Sequence, residues 1–166
     1  AITALGATPT MILLTHGHCD HLGAAAALET AYDISTRAHL EEGPVIAAAS
    51  DLSRAFTGQP QPGPNRVELF SDPAGLAFAG TPIRVIETPG HSPGGVCYDF
   101  GAFVLTGDTL FRGGVGRTDL PGGSERKLWD SIERLLATVA DDAMLFSGHG
   151  PAWSTTEARR WWALAG

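Results

Sequence analysis

Along the chain, apolar residues come in short bursts divided by Gly, Pro and polar punctuation, and only a few stretches carry helical spacing. Residues 10–15, T-M-I-L-L-T, form a continuous apolar run, which predicts a strand buried on both faces. The alanine-rich run 22–32 predicts a helix starting as the preceding polar cluster ends, and a second helix is expected over 45–56. Segment 57–64, T-G-Q-P-Q-P-G-P, holds three prolines and two glycines and reads as a surface loop, not a domain boundary. Short strands are predicted over 67–70, 76–79, 83–87, 96–100 and 103–106, with D-F-G-A at 99–102 turning a hairpin between the last two. Ser124 is a good N-cap, and Leu128, Ile132, Leu135 and Leu136 behind it form an apolar stripe for packing on a sheet. Another strand is expected over 143–147, then a helix from Thr155 that carries Trp161 and Trp162. Strands and helices alternate, which predicts an α/β fold with its chemistry at strand ends.

Composition narrows this picture. With 166 residues, 43% hydrophobic and 17% charged, the chain supports one ordinary core, so residues 1–166 are read as a single domain. The net charge of −7, without any run of Lys or Arg, excludes nucleic acid as a partner. Two cysteines, Cys19 and Cys97, make no disulfide framework and fit a reducing compartment. The start of the chain has neither a basic leader nor an apolar core with a cleavage site. Nor does any apolar stretch reach the roughly 20 residues a bilayer span needs. A cytoplasmic protein without a membrane partner is expected.

The candidate chemistry lies in the histidines. Of the six, His16, His18 and His21 cluster in T-H-G-H-C-D-H, His91 lies in T-P-G-H-S-P-G and His149 in S-G-H-G-P, each segment at a predicted strand end. Residues two apart on an extended segment project to one side, so His16 and His18 can reach one ion while Asp20 and His21 face a second position. Asp108, in L-T-G-D-T, offers a carboxylate able to bridge two ions roughly 3.5 to 4 Å apart. The expected ligands are His16, His18, His91 and Asp108 at site 1, and Asp20, His21, His149 and the same Asp108 at site 2. A single histidine at a strand end is more often structural; five in this order point to a metal. His39 stands apart and reads as a surface or packing residue. Cys19 is expected to point away from His18 and Cys97 to fill the core, and Trp153, Trp161 and Trp162 to pack. Arg117 and Asp119 either meet the acidic end of a thiol substrate or lock a Gly-rich loop by an ion pair. Tyr98 reaches the site on one of the two faces its strand allows, and alternation leaves both open.

H-x-H-x-D-H followed by a lone His, a lone Asp and a last His resembles the metallo-β-lactamase-fold hydrolases, over residues from about 10 to 151. The segments T-P-G-H-S-P-G, T-G-D-T-L-F, G-R-T-D-L-P-G-G and G-H-G-P are similar to the glyoxalase II-like, hydroxyacylglutathione hydrolase-like branch. The resemblance implies an αββα sandwich of two sheets with helices outside. Its opening strands normally precede the histidine cluster, which here begins at residue 16. A missing N-terminal segment, or self-association across an unpaired edge, is the corresponding expectation. It further implies hydrolysis of thioesters such as S-lactoylglutathione or a related acyl-thiol, with two divalent metal ions, zinc foremost and iron or manganese compatible with the same donors. Water held between two such ions drops in pKa from about 15.7 toward roughly 7, and the bridging hydroxide attacks the carbonyl. Site 1 would polarise the carbonyl oxygen and site 2 would steady the departing thiolate, without a Ser or Cys nucleophile. One alternative is a mononuclear iron persulfide dioxygenase, which shares the fold and the G-R-T-D segment. Others are a lactone or β-lactam hydrolase of the same fold and a non-catalytic binding remnant.

Overall fold

The computed structural model describes residues 2–72 and 76–165, which form two compact units, Ala1–Ser71 and Asp72–Gly166. In the first, β1 (Ile12–Leu13) leads to α1 (Cys19–Leu22) and α2 (Ala25–Tyr32). β2 (Thr36–His39), α3 (Gly43–Thr57) and β3 (Val67–Phe70) follow. The three strands are parallel in the order β1-β2-β3, with Ile12 opposite Thr36 and Thr36 opposite Val67. Helices connect them, as parallel neighbours require. Leu14, Leu22, Ala38 and Ala49 form the core, and Ile12, Cys19 and Ile46 pack against it.

Three expectations need correction here. The apolar run at 10–15 yields only two strand residues, both half-buried, because β1 is an edge of this sheet and pairs with β2 alone. The helix starts inside the polar cluster, at Cys19, and is interrupted at Gly23 before resuming at Ala25. β2 has no counterpart among the expected strands. Its T-R-A-H sequence lacks an apolar run, yet Thr36 and Ala38 alternate inward with period two and are fully buried.

A buried carboxylate fastens this unit. Glu29 of α2 accepts from Thr36 Oγ1 and from the Asn65 amide, both at 2.7 Å, and from the Arg66 amide at 3.2 Å. Arg66 in turn donates to the Glu29 carbonyl at 3.0 Å and to Asp33 at 2.8 Å. The Pro-rich loop thereby ends at a fixed point, which sets the register of β3.

The second unit is built on a mixed sheet. Its members are β6 (Arg84–Glu87), β7 (Val96–Asp99), β8 (Phe103–Gly107), β11 (Met144–Ser147) and β12 (Trp153–Ser154), in the order β12-β11-β8-β7-β6. β11 runs parallel to β8 and the other pairs are antiparallel. Two short hairpins accompany the sheet, β4 (Ala77–Phe78) with β5 (Thr81–Pro82), and β9 (Leu110–Phe111) with β10 (Gly114–Val115). The turn expected at 99–102 forms: Gly101 has φ +83° and its amide donates to Asp99 Oδ1 at 2.7 Å.

Two helices complete the unit, α4 (Glu125–Thr138) and α5 (Thr155–Ala165). Ser124 caps α4, its side chain accepting from the Lys127 amide. Leu128, Ile132 and Leu135 of α4 are fully buried with Val104, Leu145 and Trp153. Each such aliphatic side chain contributes about 1.5–3 kcal/mol by leaving water. Trp161 and Trp162 of α5 pack against the same core. Among the described residues no helix is long and apolar enough to cross a membrane.

Candidate metal centre

The first unit carries four of the seven expected ligands on one strand-to-helix turn. His18 is extended, with φ −70° and ψ 149°, and the chain enters α1 at the next residue, so Asp20 and His21 sit on a helical turn. Three imidazoles gather there, with ring centroids 4.8 Å apart for His16 and His18 and 4.1 Å for His16 and His21. Asp20 Oδ2 lies 3.6 Å from His21 Nε2. His16 and His18 are buried, whereas the Asp20 side chain is 55% exposed.

The second unit carries the other three on separate loops. His91 follows β6, Asp108 follows β8 and His149 follows β11. Asp108 Oδ2 lies 3.6 Å from His91 Nε2 and 3.5 Å from His149 Nε2. These separations exceed normal hydrogen bonds, which run to about 3.2 Å. They agree with ligands set around a tetrahedral ion, since bonds of about 2.0–2.1 Å leave neighbouring donors about 3.3–3.4 Å apart. Imidazole nitrogen with carboxylate oxygen is also a donor set suited to divalent transition metals, so the residues fit such an ion.

Supporting contacts fix the ligands in the second unit. His91 Nδ1 donates to the Arg117 carbonyl at 2.7 Å, which leaves Nε2 as the donor for a metal. Gly116 permits that approach. A Cβ there would lie 2.0 Å from the Asp108 carbonyl oxygen and 3.0 Å from the His91 ring. Helix α4 holds the other side of the loop, with Ser131 Oγ donating to the Pro89 carbonyl at 2.8 Å and the Ser124 amide to the Gly90 carbonyl at 2.7 Å. Beneath, Thr109 Oγ1 donates to Thr88 Oγ1 at 3.0 Å, and Thr88 contacts Cys97 Sγ at 3.4 Å. This triad ties the segment before His91 to the turn that bears Asp108. Burial pushes the Cys97 thiol up to about 11, against weaker opposing hydrogen bonds from Thr88 and Thr109, so it stays protonated in the core.

The remaining candidates take varied places. Arg117 pairs with Asp119 at 2.6 and 2.7 Å, the ion pair that the sequence offered as one of two readings. The guanidinium hydrogen bond holds the exposed Asp119 carboxyl down to about 2. Tyr98 is fully buried in β7, opposite Val85 on one side and Leu105 on the other. His39 Nδ1 accepts from the Glu41 amide, and its ring stands edge-on to Phe70, a packing arrangement. Cys19 packs on the first unit's core, and Trp153 is buried in the second unit's core. Thr88, Thr109, Gly116 and Ser131 were not singled out from the sequence. The available signal was that Thr88 and Thr109 flank ligand segments and that Gly116 opens the G-R-T-D segment; Ser131 offered none, being one polar position on a helix.

Comparison with known proteins shows the family. The family described as the metallo-beta-lactamase superfamily matches residues 3–149. "Probable metallo-hydrolase YqgX" of Bacillus subtilis is 38% identical over 152 residues, covering 88% of this chain and 71% of that protein. "Hydroxyacylglutathione hydrolase GloC" of Haemophilus influenzae is 32% identical over 144 residues, covering 84% of this chain and 68% of that one. The crystal structure of TTHA1623 in a di-iron-bound form superposes with a TM-score of 0.86 at 38% identity, covering 96% of this chain and 79% of that one. With its H-x-H-x-D-H turn, its His-Asp-His set on three strand ends and a family match over residues 3–149, the chain belongs to the metallo-beta-lactamase superfamily.

Proposed function

We propose that this protein is a binuclear metallohydrolase of acyl-thiols, with S-lactoylglutathione or a related thioester as its substrate class. The observation that carries the reading is the shared carboxylate: Asp108 Oδ2 at 3.6 and 3.5 Å from the Nε2 atoms of His91 and His149. His16, His18, His91 and Asp108 would hold one ion, and Asp20, His21, His149 and the same Asp108 the other. Two bound divalent ions supply an acidified water as nucleophile and a Lewis acid for the substrate carbonyl. Zinc is the first choice, and iron, as in the relative with a di-iron form, is the second.

The chain's own residues do the rest. The Arg117 carbonyl holds the proton of His91 on Nδ1 and keeps the ring from turning. Asp20, on the first turn of α1 with its side chain 55% exposed, would orient a water as well as ligate. The Arg117–Asp119 ion pair stiffens the Gly-rich segment next to His91. Support for the thioester comes from the relative named as a hydroxyacylglutathione hydrolase.

Metal analysis paired with a thioester hydrolysis assay tests the proposal on the parent and on His16→Ala. The parent is expected to hold two divalent ions per chain and to release thiol without consuming oxygen, and the variant to lose both metal and activity. One iron per chain with oxygen uptake would replace the reading by the persulfide dioxygenase alternative. A metal-free parent, with nothing changed in the variant, would end it.

A further inference from the structure

We propose that Glu42 is a positioning residue for the ligand turn, holding the peptide between His16 and His18 in its metal-ready orientation before any metal arrives. The inference rests on the proposed metal-binding function of His16 and His18.

Glu42 stands immediately before α3, with φ −82° and ψ −11°, and is fully buried. Burying a carboxylate is costly, since the charged form gives up its hydration and must be repaid by strong local donors. An apolar residue of similar size would fill the space at lower cost, so packing alone does not account for an acid here. One partner is the Gly17 amide, which donates to Glu42 Oε2 at 2.6 Å across 25 residues of sequence.

The position of that amide makes the bond consequential. Gly17 separates His16 from His18, and its N–H belongs to the peptide plane that follows His16. Fixing this plane fixes the path of the chain between the two imidazoles. Packing reinforces it, because a Cβ on Gly17 would lie 2.7 Å from Ile46 Cγ1, 3.0 Å from the Ile46 amide nitrogen and 3.1 Å from Glu42 Oε2. The ligand turn is therefore seated on Glu42 and on the first turn of α3 together. Outer groups that orient metal ligands are typically worth roughly 10–100-fold in metal affinity.

Two substitutions separate reach from charge. Glu42→Gln keeps an oxygen at the right distance for the Gly17 amide and removes the charge; Glu42→Asp keeps the charge and shortens the reach by one methylene. Cobalt(II) affinity is measured by competition with a chromophoric chelator, alongside the d–d absorption band that reports ligand geometry. The expected result is near-parent affinity and spectrum for Glu42→Gln, and for Glu42→Asp a loss of roughly 10-fold or more with an altered band. A merely structural role would lower thermal stability in both variants while leaving affinity and band unchanged in the folded protein. That result overturns the proposal, as does Glu42→Asp binding as well as Glu42→Gln or better.

Amide hydrogen exchange on the metal-free parent decides the matter if either variant fails to fold. A strongly protected Gly17 supports the proposal, and exchange at the rate of an open loop overturns it. A parent that binds no cobalt sinks the proposed function and this inference with it; a parent that binds two ions, with variants that do not differ, sinks this inference alone.

Discussion

The two units present their ligands in opposite ways. The first delivers four on one turn, His16 to His21, where the chain passes from an extended residue into a helix and the ligands are near neighbours in sequence. The second delivers three from loops at 91, 108 and 149, and they converge because β6, β7, β8 and β11 lie side by side in one sheet. A contiguous turn can be aimed by a single hydrogen bond and one glycine. A dispersed set needs a frame, and here the frame is visible: the Arg117 carbonyl, the Thr88–Cys97–Thr109 contacts and the hydroxyl of Ser131. The second unit should accordingly be the more sensitive to change away from the ligands themselves.

The largest effect expected from this contrast is at Asp108, whose single oxygen serves two imidazoles. Asp108→Ala should leave less than one ion per chain. Asp20→Ala, removing an exposed carboxylate from the first unit, should leave at least one. Metal analysis of both purified variants checks this, and equal losses would break the contrast.

Next in size is Gly116→Ala. The added methyl would lie 2.0 Å from the Asp108 carbonyl oxygen, so backbone must move. Overpacking of this kind costs about 1–3 kcal/mol, or a fall of roughly 2–12 °C in Tm for a chain of this size. A thermal melt of the metal-free variant that matched the parent would show that the frame around His91 is softer than its contacts indicate.

The smallest effect is confined to the first unit and to acid. Burial raises the Glu29 carboxyl, but the combined hydrogen bonds from Thr36, Asn65 and Arg66 outweigh it and hold the group below its ordinary 4.5. A carboxyl lowered in the folded state contributes stability that is present above pH 4.5 and is lost as pH falls through the lowered value. Glu29→Gln should thus be less stable than the parent at neutral pH, with the gap closing below pH 4.5 in denaturant midpoints measured across pH. A gap that stayed constant into acid would mean that this carboxylate is not what fastens the end of the Pro-rich loop.

Legibility in the sequence followed the same division. The H-x-H-x-D-H turn, the capped amphipathic helix behind Ser124 and the hairpin at 99–102 were all readable, because each depends on neighbours within a few residues. β2 was not readable, since Thr36 and Ala38 become core only when β1 and β3 flank them. Glu42 lay in an unremarked pair of acids. Nothing local distinguishes it from Glu41, yet Glu42 is fully buried and reaches the ligand turn while Glu41 faces solvent.

The sequence by itself determined which residues are able to bind a metal, in what order they occur and to which superfamily they belong, because ligand chemistry and strand-end spacing are properties of short segments. Only the tertiary structure decided that Asp108 presents one oxygen to two histidines, that the Arg117 carbonyl sets the tautomer of His91 and that a buried acid just before α3 accepts from the Gly17 amide. These depend on distances between segments 17 to 41 positions apart in the chain, which strand order and helix packing fix and no local pattern encodes.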